Sequence, residues 1–231
     1  NKIILAISLM LLVGLVGFVS AKFITTSQDG YNHNVELEIV KGWNLIIASP
    51  IIGVYEGDDY ADSTITSDSE ITRDNVKAVY IYLREKKKYT TMYPNAQEYM
   101  NYVRDLPDDP SYKSGIMFSS VWVYSNKAGT LKYHRVDVPK YHQVALKNGW
   151  NFLTITPEMA GKSLNDIKGS CNIEKVYLWD AQNQQWGTIF NLLDDKNILQ
   201  KEGNDGEGFI IKVSDYCVLG DASGGAPPEL P

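Results

Sequence analysis

The chain has 231 residues, with 28 acidic against 22 basic side chains and a net charge of −6. That balance repels a phosphate backbone and argues against nucleic acid as a partner. Three scattered histidines (His33, His134, His142) and two cysteines are too few for a zinc site, and no metal or cofactor is expected.

At the N-terminus Lys2 precedes an uncharged run, 3–19, closed by Val19-Ser20-Ala21 and then Lys22. A basic start, an apolar stretch and small residues around a cut after Ala21 are the parts of a secretory signal peptide. The run is long for such a signal and short for a spanning helix of roughly 20 residues. Residues 1–21 therefore read as an apolar helix that is either a signal peptide or an N-terminal membrane anchor. Both readings place the remainder outside the cytoplasm, extracellular or at the cell surface, with membrane contact only through 3–19 if that segment is retained.

Val35, Leu37 and Ile39 alternate with Glu36, Glu38 and Val40, a half-buried strand that runs into Gly42-Trp43-Asn44. Residues 57–74 are rich in Asp, Ser and Thr and read as a surface loop. Val79 to Leu83 is β-branched and aromatic, as is Val121 to Tyr124, and both are expected strands. Arg84-Glu85-Lys86-Lys87-Lys88 reads as a solvated hairpin turn, and Asn126 to Gly129 as another turn. Between them, Asn95 to Leu106 carries Tyr99, Tyr102, Val103 and Leu106 at helical spacing, behind a capping Asn95 with Glu98 three residues on.

The pattern then returns. Leu146-Lys147-Asn148-Gly149-Trp150-Asn151-Phe152 repeats the stretch from Val40 to Ile46, and Val176-Tyr177-Leu178-Trp179 answers Val79-Tyr80-Ile81-Tyr82. Nine residues after each central Tyr comes another aromatic, Tyr89 and Trp186, and four further on a third, Tyr93 and Phe190. Such self-similarity governs the reading of the whole chain. It divides the chain into a first module, 35–138, and a second, 142–221. Trp43 to Tyr80 spans 37 residues and Trp150 to Tyr177 only 27, so 57–74 carries a ten-residue insertion. In the second module a capping-box helix is expected at Ser163-Leu164-Asn165-Asp166-Ile167, a turn at Asp180 to Gln185 and a strand at Phe209 to Val213. The tail, 222–231, is composed like a flexible Gly/Pro linker. With no Met at its start, the sequence reads as a piece of a longer protein. The expected fold class is all-β: two tandem related β-sandwich or barrel-like modules with short helical insertions, each a folding unit, preceded by the apolar helix.

Alignment of the two copies sets Asp74 opposite Cys171 and Gly129 opposite Cys217. Both cysteines are missing together from the first copy, as bonded partners would be, so a structural disulfide Cys171–Cys217 is expected in an exported chain.

The run Lys147-Asn148-Gly149-Trp150-Asn151-Phe152-Leu153, then Gly161-Lys162-Ser163-Leu164, Ser170-Cys171, Glu174 to Trp179 and Gln185-Trp186 resembles the Gly-Trp-Asn repeats of exported and surface-anchored archaeal proteins. Related bacterial modules end in a Gly-x-Gly-Tyr-Trp-Val strand, matched in part by Gly206-Glu207-Gly208-Phe209-Ile210-Ile211. In the first copy Ser120-Val121-Trp122-Val123-Tyr124 is similar to that strand without its glycines. The resemblance implies an extracellular β-module, often appended to other domains, and supplies no catalytic residues.

Catalytic signals are thin. The carboxylates Asp58-Asp59, Asp108-Asp109, Asp194-Asp195 and Glu202, Asp205, Glu207 lie in loop contexts, and no histidine accompanies a Gly-x-Ser-x-Gly elbow. A calcium loop over Asp58 to Asp68 lacks any EF-hand spacing. Gly42, Trp43, Asn44 and Gly149, Trp150, Asn151 form the repeat core, with both tryptophans, and Tyr80 and Tyr177, expected inside their modules. Trp122, Trp179 and Trp186 are the candidates for an exposed ligand-binding face. The expectation is a non-catalytic structural or interaction protein of the cell surface, with an envelope glycan or surface protein as partner. The alternative is a carbohydrate-binding module docking to polysaccharide, and a weaker one is a secreted hydrolase with its site in the first module's insertions.

Overall fold

The computed structural model describes residues 22–24, 33–48, 63–107, 116, 119–135, 140–187 and 206–220. The expected apolar helix at 1–21 and the tail at 222–231 lie outside them. So do Asp58, Asp59, Asp108, Asp109, Asp194, Asp195, Glu202 and Asp205.

The described chain is antiparallel β with few helices. The strands in the first half are β1 (Lys22–Ile24), β2 (His33–Ile39), β3 (Gly42–Ile47) and β4 (Ser63–Ile65). They continue as β5 (Val76–Leu83), β6 (Lys88–Tyr93), β7 (Ser120–Ser125) and β8 (Gly129–Arg135), with helix α1 (Gln97–Arg104) after β6. The second half holds β9 (Ala145–Leu146), β10 (Gly149–Thr154), helix α2 (Leu164–Ile167), β11 (Ile173–Asp180), β12 (Gln185–Gly187), β13 (Gly208–Val213) and β14 (Cys217–Val218).

These strands form an outer sheet, β1-β2-β8-β4, a first inner sheet, β3-β7-β5-β6, a second inner sheet, β10-β13-β11-β12, and the two-stranded β14-β9. The two inner sheets are laid out alike. Leu45 faces Trp122 across one ladder and Phe152 faces Ile210 across the other. Tyr82 faces Tyr89, and Trp179 faces Trp186. Each sheet has an irregularity at the same place, between Val76 and Ala78 and between Ile173 and Lys175. Both hairpin turns end on a residue in the left-handed region, Lys87 at φ 51° and Gln184 at φ 53°.

Side chains alternate across a strand, so each inner sheet has two faces to cover. One face of the first carries Val79, Ile81, Val121 and Val123, packed with Val35, Leu37, Leu131 and Tyr133 of the outer sheet. One face of the second carries Leu153, Phe209, Ile211 and Val213, packed with Leu146, Leu164, Ile167 and Leu219. Leu45, Phe152 and Ile210, on the opposite faces, form a third apolar cluster. The two inner sheets therefore pack on each other, and the modules are not separate beads.

The described part of the insertion at 57–74, residues 63–74, is more than a surface loop. Ser63–Ile65 pairs as β4 with β8, and Ile71 is buried in the first core. Two isoleucines in an otherwise polar stretch are enough to pin it, since each gains by leaving water. The strand β1, outside the expected module bounds, pairs with β2. The N-cap of α1 is Ala96 and not the expected Asn95, whose side chain accepts from Gln97 N–H (2.9 Å) from one residue earlier. Glu98 accepts from Thr90 Oγ1 (2.8 Å) instead of closing a capping box, and the helix buries Tyr99 and Tyr102 in the first core. At α2 the expected capping box is formed: Ser163 N–H donates to Asp166 Oδ2 (2.8 Å) and Asp166 N–H to Ser163 Oγ (3.2 Å).

Cys171 and Cys217 are bonded, tying the approach to β11 to β14. Their separation of 46 positions closes a long loop in the unfolded chain, which the chain-entropy argument values at about 4 kcal/mol. Reduction is accordingly expected to lower the unfolding free energy by about that amount. The guanidinium chloride midpoint with and without reductant checks it; an unchanged midpoint would contradict the assignment of a stabilising staple.

Candidate functional site

The Gly-Trp-Asn motif has a physical reading in the structure, and its three residues do three different jobs. Gly42 and Gly149 hold φ of 117° and 97°, which L side chains rarely adopt. Asn44 and Asn151 are buried, at 2% and 0% exposure, and point back at the turn before their strand. Asn44 Oδ1 accepts from Val40 N–H (3.0 Å), while Nδ2 donates to Val40 O (3.0 Å) and Gly42 O (3.1 Å). Asn151 does the same with Lys147 N–H (2.9 Å), Lys147 O (2.8 Å) and Gly149 O (3.0 Å). The amide thus supplies the partners that a tight strand-to-strand turn denies its own backbone.

The tryptophans of the motif are not in the module interiors. Trp43 and Trp150 are half-buried on the opposite sheet faces, with Leu45 and Phe152 rather than with the module cores. Strand parity decides this: when Asn44 and Asn151 turn inward, the preceding residue must turn the other way. Tyr80 and Tyr177 share those faces. Trp43 packs against Tyr80 (5.9 Å between centroids), Tyr124 (5.1 Å) and Trp122 (6.3 Å), and Trp150 against Tyr177 (5.9 Å).

Trp122, Trp179 and Trp186 are brought together across the two modules. Trp122, from β7, meets Trp179 at 4.8 Å and 85° and Trp186 at 5.4 Å and 79°; Trp179 and Trp186 meet at 5.4 Å and 78°. Edge-to-face rings gain from their quadrupoles, about 0.5–1.5 kcal/mol per pair beyond burial. They do not present the coplanar faces on which a sugar ring lies. On the other flank Phe152 packs against Tyr82 (5.0 Å) and Tyr89 (5.7 Å). Tyr89, 47% exposed, and Trp186, 36% exposed, form the wet rim of this layer. Burial pushes the Tyr82 and Tyr89 phenols up; at Tyr89 a hydrogen bond from Trp122 partly offsets it, and neighbouring Tyr82 adds to it.

Polar contacts close the layer at its ends. Trp179 Nε1 donates to Trp43 O (2.9 Å), and Gln184 brackets the same residue, accepting from Trp43 N–H (2.8 Å) and donating to Trp43 O (2.9 Å). From the other hairpin Arg84 donates to Ala145 O (2.7 Å), and Glu85 lies 3.7 Å from Lys147 Nζ. One hairpin therefore reaches the other module's Gly-Trp-Asn at its tryptophan, and the other reaches the residues just before it. Ile47 N–H donates to Gly206 O (2.8 Å), so the backbones also meet directly.

Burial alone would raise the Glu85 carboxyl. The Tyr102 hydroxyl bond, a backbone N–H and the charges of Arg84 and Lys147 outweigh burial and hold it below the usual glutamate range. A lowered folded value means stability that is present above the unfolded glutamate value and lost as pH falls through the folded one. Tyr102→Phe is expected to flatten the stability loss between about pH 5 and pH 3, where free carboxyls titrate, measured by urea unfolding across that range. An identical pH profile would contradict the contribution of this bond.

Among the described residues no group of three or more His, Cys, Asp or Glu side chains is placed to hold a metal ion, and no helix is long and apolar enough to cross a membrane. His142 lies on the far side of the second module, with Nδ1 3.7 Å from Glu158. Leu45, Tyr82, Phe152, Gln184, Gly208 and Ile210 also reach the inter-module layer, a role that their motifs did not assign them. A signal for them was present: in Val79-Tyr80-Ile81-Tyr82-Leu83 both parities are apolar or aromatic, and a sheet apolar on both faces needs a cover on both. No family model, curated protein or solved structure matches the chain.

Proposed function

We propose that this chain is an exported, non-catalytic structural or interaction protein of the cell surface, built of two Gly-Trp-Asn modules that cover each other's aromatic faces. The observation that carries the reading is the destination of the three candidate tryptophans. Trp122, Trp179 and Trp186 are spent on one another between the inner sheets, at 78–85° to each other. The disulfide supports an oxidising compartment, and the run at 3–19 supports export. On this reading envelope glycans or surface proteins are met through the outer surfaces, not through a catalytic cleft.

The test is co-sedimentation of the oxidised chain with neutral and acidic envelope polysaccharides, with tryptophan fluorescence read in parallel. No saturable pelleting through the rim residues, and no change on Trp186→Ala, is the expected result. Saturable binding with a fluorescence change that Trp186→Ala or Trp122→Ala abolishes would replace this reading by a carbohydrate-binding module. Export is tested separately, by labelling intact cells with a membrane-impermeant amine reagent.

A further inference from the structure

The contacts at the centre of the inter-module layer are reciprocal, although the polar contacts at its ends differ. By their places in the ladders Leu45 is matched with Phe152, Tyr82 with Trp179, Tyr89 with Trp186 and Trp122 with Ile210. Trp122 packs on Trp179, and in the exchanged relation Ile210 shares a cluster with Tyr82. At the centre, where matched positions meet each other, stand Ser120 and Gly208. A methyl group built on Gly208 would lie 2.6 Å from Ser120 Cβ and 2.5 Å from Leu45 Cγ. This is the signature of an isologous interface, in which residue i of one unit meets residue j of the other and the reverse.

We infer that the aromatic face of each module is a docking face for the other module whichever chain carries it, so that the partner it fits is a second copy of this chain. Two chains pair by exchange: the first module of each closes on the second module of its neighbour and remakes both halves of the same interface. Unlike modules are the favoured pair. Two first modules would set serine against serine at a spacing that already excludes a methyl group. The connection is short in sequence, with four residues between Arg135 and Lys140, and short hinges favour exchange. The inference stands on the geometry of the two inner sheets and does not depend on where the protein resides.

Two full-length variants test it. Leu45→Lys spoils the first face of one chain, and Phe152→Glu the second face of another, so neither chain can close on itself without burying an unpaired charge. Mixed after denaturation with the disulfide intact, they retain one good face each and set lysine against glutamate at the other contact. The expected result is a 1:1 species of doubled mass by light scattering and native mass spectrometry, formed only on mixing. In a second arm, wild-type chains of natural and heavy-isotope mass are refolded together at millimolar concentration, comparable to the effective concentration of linked modules, and dimers of mixed mass are expected. Doubled mass in either arm supports exchange. Its absence from both overturns the inference, and that outcome leaves the glycan test of the proposed function untouched.

Discussion

Replacing Asn151 by Leu is expected to lower the unfolding free energy by about 4 kcal/mol, although the side chain is nearly isosteric and its site is fully buried. Three hydrogen bonds go at once, to Lys147 N–H, Lys147 O and Gly149 O. Each net bond is worth about 1 kcal/mol, and the backbone groups left behind in a dry site add to the loss. Asn151→Asp separates geometry from chemistry: it keeps the acceptor for Lys147 N–H but turns carboxylate oxygen toward two carbonyls. It is expected to be at least as damaging at neutral pH and to recover in acid. Guanidinium chloride unfolding of both variants checks the pair. A loss below about 1 kcal/mol for Asn151→Leu would mean that water or an alternative turn serves those groups. Asn44 makes the same three contacts in the first module and is expected to behave alike.

Gly208→Val is expected to destabilise by about 3 kcal/mol, as overpacking of a closed site does. Its backbone is not in the left-handed region, so the effect is contact and not strain. The new side chain would drive into Leu45 and Ser120 of the other module. The loss should come with a red shift of tryptophan emission, because prising the sheets apart wets the layer of Trp122, Trp179 and Trp186. Gly208→Ala combined with Ser120→Gly is expected to recover part of the loss of Gly208→Ala alone, which a wall elsewhere would not allow. The buried Ser120 hydroxyl has no hydrogen-bond partner among the described residues, so its removal deprives the protein of nothing polar.

Local pattern was legible in the sequence where one rule governed it. Alternation placed β2, aromatic and β-branched runs placed β5, β7, β11 and β13, and the Ser163 capping box placed α2. The helical spacing of Tyr99, Tyr102 and Val103 placed α1, whose N-cap is Ala96 and not Asn95. The all-β class and the cysteine pair followed from the same reading. What composition could not supply was the direction in which an aromatic faces. Trp43 and Trp150 were expected inside their modules because a large ring is the natural core filler. The asparagine beside each has the stronger claim on the interior, since its amide must answer three backbone groups out of reach of water. The layer between the sheets depends on contacts between residues far apart in the chain, such as Trp122 with Trp179 and Trp43 with Gln184. No local rule reports those. Ser63–Ile65 shows the same limit in reverse, because a three-residue strand in a polar stretch is set by its partner β8.

Two aromatic sheet faces cover each other, and mutual cover should make the two modules one cooperative unit. The most direct measurement is equilibrium unfolding of the oxidised full chain, followed by hydrogen exchange with peptide resolution across both inner sheets. With the faces mutually covered, β5 and β7 are expected to lose protection at the same denaturant concentration as β11 and β13, coincident with the red shift of tryptophan emission. Two separated transitions, with one sheet still protected and the emission already shifted, would show that the modules stand alone and that the aromatic faces are free for something else.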